Sequence, residues 1–169
     1  MDFKNLYDDL ANGPAVLRAL THGISQEEAV LKPGEDSWSI LEVLCHLFDE
    51  EREDFRLRLD LILHHPGEPW PPINPRGWAI ERAYLNRNLA DMLAGFAEER
   101  RISLLWLEAL AGADWETAAA APWGGMKAGE MLAAWAAHDK LHFRQLVELR
   151  YQRVLRLAAP YAALYAGEW

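Results

Sequence analysis

At 169 residues the chain is long enough to bury one hydrophobic core, and nothing in it marks a second domain, so a single domain over 1–169 is expected, with a core of about 1–149 and an extension of about 150–169. A net charge of −9 and a pI near 5.1 argue against nucleic acid and against an anionic membrane surface, both of which select basic proteins. The acidic start MDFKNLYDDL has no apolar h-region, no apolar stretch approaches a bilayer span, and the lone Cys45 excludes an intrachain disulfide and a cysteine-based zinc cluster. A soluble cytoplasmic protein is expected.

Alanine, leucine and charged residues dominate and alternating Val, Ile or Thr runs are absent, which is an all-α pattern. A first helix is predicted from about Phe3 to Thr21, with Pro14 kinking it or starting its second half. Ser25 and Glu28 form an S-x-x-E capping box for a short helical turn. Ser39 and Glu42 form another before Ile40, Leu41, Val43, Leu44 and Leu47, starting a second long helix that should run to about His64. PGEPWPPINPRG, with five prolines, is then a semi-rigid linker inclined to extended geometry.

A third helix is predicted from about Gly77 to Ala111 on the stripe Leu85, Leu89, Met92, Phe96, Ser103, Leu107 and Leu110, with Glu98, Glu99, Arg100 and Arg101 facing water. The segment AGADWETAAAAPWGGMK reads as a connection to a last helix that could continue to Pro160. Four amphipathic helices imply a four-helix bundle.

The last helix carries the chain's one local chemical signal. Its inward positions are Met131, Trp135, His138, His142, Gln145 or Leu146, and Leu149, so two histidines interrupt an apolar stripe. Residues four apart on a helix are stacked neighbours, and two such imidazoles can converge on one ion. Buried neutral histidines satisfied by a carbonyl or carboxylate are the equal alternative. His46, on the second helix, is the best third ligand, whereas His22, His64 and His65 look like loop or helix-end residues. Glu50 and Glu53 share its strip at i+4 and i+7, and either could complete the coordination or orient an imidazole; a surface histidine beside surface acids is the competing reading.

HDKLH differs from the H-E-x-x-H zinc-protease motif at Asp139, which the helix period turns about 100° from His138 and which is not expected to act as a base. No pair of Glu-x-x-His motifs for a di-iron site is present. Cys45 is expected to be a core residue rather than a reactive thiol. Arg76, in the proline segment, is expected to face solvent, with a carboxylate substrate as its alternative partner.

Taken together, SWSILEVLCHLFDEE and, about ninety residues later, AAHDKLHFRQL resemble the DinB/YfiT-like superfamily, over most of the chain to about Leu149. The resemblance implies an up-down-down-up four-helix bundle, often homodimeric, with His46, His138 and His142 binding a divalent metal such as nickel, zinc or iron. At roughly 3.1 Å per residue the proline segment could supply the long crossover that this topology requires. Relatives include thiol S-transferases and isomerases that use a low-molecular-weight thiol, while many others are assigned only as metal-dependent hydrolases; a small-molecule substrate is implied in each case.

YQRVLRLAAPYAALYAGEW extends past the recognisable pattern as an extra C-terminal helical segment, a lid or a dimer contact. A non-catalytic dimeric bundle with a structural or adventitious metal remains open, supported by Trp70, Trp78, Trp123 and Trp169 in or near predicted loops, with Trp38, Trp106 and Trp135 more simply core. Sequestration of haem or a lipophilic ligand is a third reading, disfavoured by two histidines one turn apart, which suit one small ion better than a macrocycle.

Overall fold

The computed structural model describes every residue except 123, 168 and 169. Helix α1 (Phe3–Thr21) starts where the Asp2 side chain accepts from the Asn5 amide. The short α2 (Gln26–Ala29) and the long α3 (Ile40–Glu50) each begin at a complete capping box, Ser25 with Glu28 and Ser39 with Glu42. The second helix does reach His64, but not as uniform α-helix: Glu51–Phe55 is a π-helical turn and α4 (Arg56–His64) follows it.

The predicted third helix over 77–111 is a correction. Residues Pro75–Glu81 form a separate α5, Ala83 adopts left-handed φ of 49°, Tyr84–Asn86 make a single 3-10 turn, and α6 (Leu89–Ala109) starts afresh where the Asn88 side chain accepts from the Asp91 amide. One left-handed residue suffices to turn the chain out of a helix. The connection to the last helix is not wholly irregular either, since Ala118–Ala121 (β1) pairs antiparallel with Gly124–Lys127 (β2). Helix α7 (Ala128–Ala158) runs for 31 residues, about 46 Å, so the first part of the C-terminal segment, through Ala158, is its last turns, with a 3-10 turn at Leu164–Ala166 beyond.

The contacts give each helix its direction. Phe3 at the start of α1 stacks on Trp115, whose carbonyl accepts from Gly129 at the start of α7, and Arg150 far along α7 donates to the carbonyls of Leu20 and His22 at the end of α1; the two run parallel. Leu89 at the start of α6 donates to Gln26 just past the end of α1, so α6 runs the other way. His46 on α3 meets His142 at the middle of α7, while Phe55 meets Trp135 about two turns nearer its start, so the α3–α4 helix is antiparallel to α7. The bundle is therefore up-down-down-up, with α1, α3–α4, α6 and α7 as its four members.

Two apolar clusters fill it. Leu17, Leu41, Leu44, Phe96 and Leu146 belong to the one around the end of α1, and Leu10, Leu59, Ile62, Leu107, Leu132 and Trp135 to the one around its start. Because α3–α4 and α6 are parallel, the chain between them must return along the bundle. The proline segment does this, held midway where Arg58 donates to the Pro71 carbonyl, and α5 then packs on α3. That return brings Ile73–Arg76 beside Trp38 and His46, at one end of the bundle.

Candidate metal centre

His46, His138 and His142 come together, from α3 and α7, with one ring nitrogen of each within 4.8 Å of the others. The Nε2 of His138 lies 3.3 Å from that of His46 and 3.0 Å from that of His142. Imidazole nitrogens about 2.0–2.1 Å from one ion stand roughly 3.0 Å apart in octahedral geometry and 3.4 Å apart in tetrahedral geometry, so the two spacings around His138 match adjacent ligands of one ion.

Hydrogen bonding alone does not account for the arrangement. The Nε2 of His138 faces His46, His142 and, at 3.1 Å, the Oε2 of Glu50, yet one ring nitrogen has a single proton or lone pair to offer. The Nδ1 of His142 lies 2.8 Å from the Gln145 Oε1, an acceptor that fixes the proton on Nδ1 and leaves the Nε2 lone pair pointing at the centre. The buried Nδ1 of His46 has no hydrogen-bond partner, and its nearest acid is Glu50 Oε1 at 3.5 Å. These residues fit a divalent cation.

Burial holds all three rings neutral. It is the main cause that lowers His46 to about 2 and His138 to about 3, with the neighbouring histidines adding to it; His142 is lowered too, chiefly by burial. Burial also pushes Glu50 up to about 8, with Asp54 adding to the effect. Near neutral pH the contact between Glu50 and His138 is therefore a protonated carboxyl donating to a neutral ring, not an ion pair.

Glu53 is not brought to the site. The π turn inserts an extra residue after Glu50, which breaks the strip that an unbroken α-helix would continue from His46 through i+7. Glu53 faces outward and takes a bidentate pair of hydrogen bonds from Arg82, 2.9 and 2.7 Å. Glu51 turns inward instead, where it meets Arg100 and the Trp135 indole N–H.

Arg100 is 1% exposed rather than facing water. All five of its N–H donors are used, two on Glu51, two on Asp139 and one on the Leu10 carbonyl. Burial opposes its charge, and the two carboxylates more than offset that and hold its pKa above the ordinary value. Arg100 thus ties the residue after Glu50 to the residue after His138, behind the histidines. Its place was readable, because it sits four residues after Phe96 and three before Ser103, on the buried stripe of α6.

In front of the histidines lies a cleft of about 720 Å³, with His46, His142 and Glu50 at its base and Trp38, Ile73, Arg76 and Leu149 among its walls. Trp38 is part of this site rather than simply core, its ring 4.7 Å from that of His46 and stacked 6.3 Å from that of His142. Cys45, by contrast, points away. It is 1% exposed, its Sγ lies 3.9 Å from the Tyr84 carbonyl, and burial raises its thiol to about 12, so it is no nucleophile here.

Two of the four tryptophans that point to a protein interface are engaged within the chain: Trp78 is buried under Arg82, 4.1 Å from its ring centroid, and Trp70 lies under Arg58 at 4.9 Å. Trp123 and Trp169 lie outside the described residues. Among the described residues no helix is long and apolar enough to cross a membrane.

The fold is similar to that of YfiT from Bacillus subtilis, described as a probable metal-dependent hydrolase with an unusual four-helix bundle topology; the TM-score is 0.80 at 16% identity, over 89% of this chain and 87% of that one. No curated protein matches the sequence. Residues 9–146 match the model of the DinB superfamily, a span that contains all three histidines, Glu50 and the crossover that builds the cleft. By that match and by its bundle, the chain belongs to the DinB superfamily.

Proposed function

We propose that this protein is a metal-dependent enzyme in which His46, His138 and His142 hold one divalent cation, nickel, zinc or iron, and that it acts on a small molecule as a hydrolase or a thiol S-transferase. The observation that carries the reading is the convergence of three Nε2 atoms at the base of an open cleft. A structural site would be closed on all sides; here one side is free for water, thiol or substrate. A divalent ion so held supplies Lewis acidity and lowers the pKa of a group bound to it.

The chain's own residues do the rest. Trp38, Ile73 and Leu149 present apolar surface that binds the substrate and displaces water from the histidine end of the cleft. Glu50, with Oε2 at 3.1 Å from His138 Nε2 and at the base of the cleft, is placed to hold or move one proton at the reacting end. Arg100 and Asp139 take no part in the chemistry and fix the backbones that carry Glu50 and His138. A buried Cys45 fits a cytoplasmic protein, and a homodimer is the proposed assembly.

The test is a paired screen of the zinc-, nickel- and iron-loaded protein, one arm offering esters and amides in water and the other a low-molecular-weight thiol with an electrophilic acceptor. Turnover in one arm that disappears in both His138→Ala and Glu50→Gln supports the reading. Metal bound at full occupancy with no turnover in either arm favours the non-catalytic bundle.

A further inference from the structure

Arg76 is the only lysine or arginine lining the histidine cleft, and among the described residues no carboxylate or hydrogen-bond acceptor pairs with it. Arginines close by are committed: Arg82 to Glu53 and Asp49, Arg58 to Asp54 and the Pro71 carbonyl. The backbone that carries Arg76 is fixed locally, since Asn74 accepts from the Gly77 amide and Pro75 opens the helix. Arg76 is exposed, as the sequence suggests, and its guanidinium stands at the wall of the cleft with its fork of donors free, in a protein of net charge −9 that has acids to spare.

A free guanidinium in a concave site matches a carboxylate, which it can hold by two parallel hydrogen bonds. A doubly charged phosphate fits less well. Asp36 and Glu148 line the same cleft, with Glu148 already accepting from Gln152, and their charges oppose a second negative charge on the ligand. The same cleft also offers the apolar surfaces of Trp38, Ile73 and Leu149, which suit an apolar stretch in a ligand that reaches from Arg76 to the histidines.

We infer that the cleft takes a small monoanionic acid, its carboxylate on Arg76, an apolar stretch against Trp38, Ile73 and Leu149, and its reacting end at the histidines. This rests on the cleft being the substrate site of the proposed metal centre, and it makes Arg76 a specificity-determining residue. The crossover imposed by two parallel helices is what delivers that residue to the site.

The test is calorimetric titration of tag-free protein, metal-free and cobalt(II)-loaded, with mercaptohexanoate and with mercaptohexanol, which share a chain and a thiol and differ in the carboxylate. The cobalt absorption spectrum reports separately whether the thiol reaches the histidines. The acid should bind about tenfold tighter than the alcohol, as for a hydrogen bond to a charged group. Arg76→Ala should bring the ratio to about one, whereas Arg144→Ala, an exposed arginine outside the cleft, should leave it unchanged.

Equal affinities in the wild type, binding of neither compound, or a preference that survives Arg76→Ala overturns the inference. A carboxylate preference in protein that binds no cobalt upholds Arg76 and sinks the metal reading. A cobalt–thiolate spectrum with equal affinities for acid and alcohol does the reverse.

Discussion

Arg100 donates to both carboxylate oxygens of Asp139, at 2.8 and 3.0 Å, one residue along α7 from His138. The same guanidinium donates to Glu51 and to the Leu10 carbonyl, the acceptor that the amide of residue 14 would take in an unbroken helix and that Pro14 cannot use. The proline inside α1 therefore frees a buried carbonyl, and Arg100 satisfies it. The aspartate that separates HDKLH from a zinc-protease motif serves as the counter-charge of this arginine.

Arg100→Met should destabilise the fold by about 3–5 kcal/mol, because it leaves Glu51 and Asp139 as buried carboxylates with no cation. Urea unfolding of the wild type and the variant measures this. A loss below about 1 kcal/mol would mean that the network adds little. Replacing Glu51, Arg100 and Asp139 together by apolar residues should recover much of the stability, since the desolvation cost goes with the charges.

Gly13→Ala should also destabilise, although helix propensity alone favours alanine by about 1 kcal/mol. A Cβ at Gly13 would stand 2.9 Å from Arg100 Nη1 and 3.0 Å from Asp139 Oδ2, and a guanidinium held by five hydrogen bonds cannot swing aside. The expected cost is about 1–3 kcal/mol by denaturant unfolding, as for other overpacked sites. A gain in stability would show that the socket is loose.

The metal-free protein should have a pH optimum of stability set by its own site. His46 and His138 stay neutral when folded to about 2 and 3 but bind protons when unfolded below about 6.5, so stability is present above 6.5 and falls with acid, by about 1.4 kcal/mol per pH unit for each histidine. Glu50 acts in the opposite sense. Its folded pKa of about 8 exceeds the unfolded 4.5, so its contribution is full below 4.5 and is lost as pH rises to 8. Between 4.5 and 6.5 the histidines outnumber it, and between 6.5 and 8 it acts alone. Thermal unfolding of the apo protein should peak near pH 6.5, and Glu50→Gln should abolish the decline on the alkaline side. An unchanged alkaline limb in that variant would contradict the assignment.

Much of this architecture is legible in the sequence, for local reasons. The boxes Ser25/Glu28 and Ser39/Glu42 mark helix starts because a cap involves only residues three apart. His138 and His142 are visible as a pair because helix geometry alone brings i and i+4 together. What stayed hidden depends on single deviations from regular backbone or on tertiary contact. The π turn at Glu51–Phe55, which sends Glu51 inward and Glu53 outward, has no period of its own, and the break before α6 sits at an alanine in left-handed conformation rather than at a glycine. Arg100, after two acids and before another arginine, reads as part of a solvated face, although its helical position is inward. Trp38 and Arg76 become site residues only when the crossover lays 73–76 beside the start of α3.

The central claim is that three histidines from two helices form one metal site, and metal content measures it most directly. Elemental analysis of tag-free protein, after dialysis, should find one divalent ion per chain in the wild type. His46→Ala, which leaves the α7 pair intact, should lower affinity by orders of magnitude in a chelator-competition titration, and His138→Ala and His142→Ala should do the same. Equal sub-stoichiometric metal in the wild type and in all three variants, or full affinity without His46, would contradict the account.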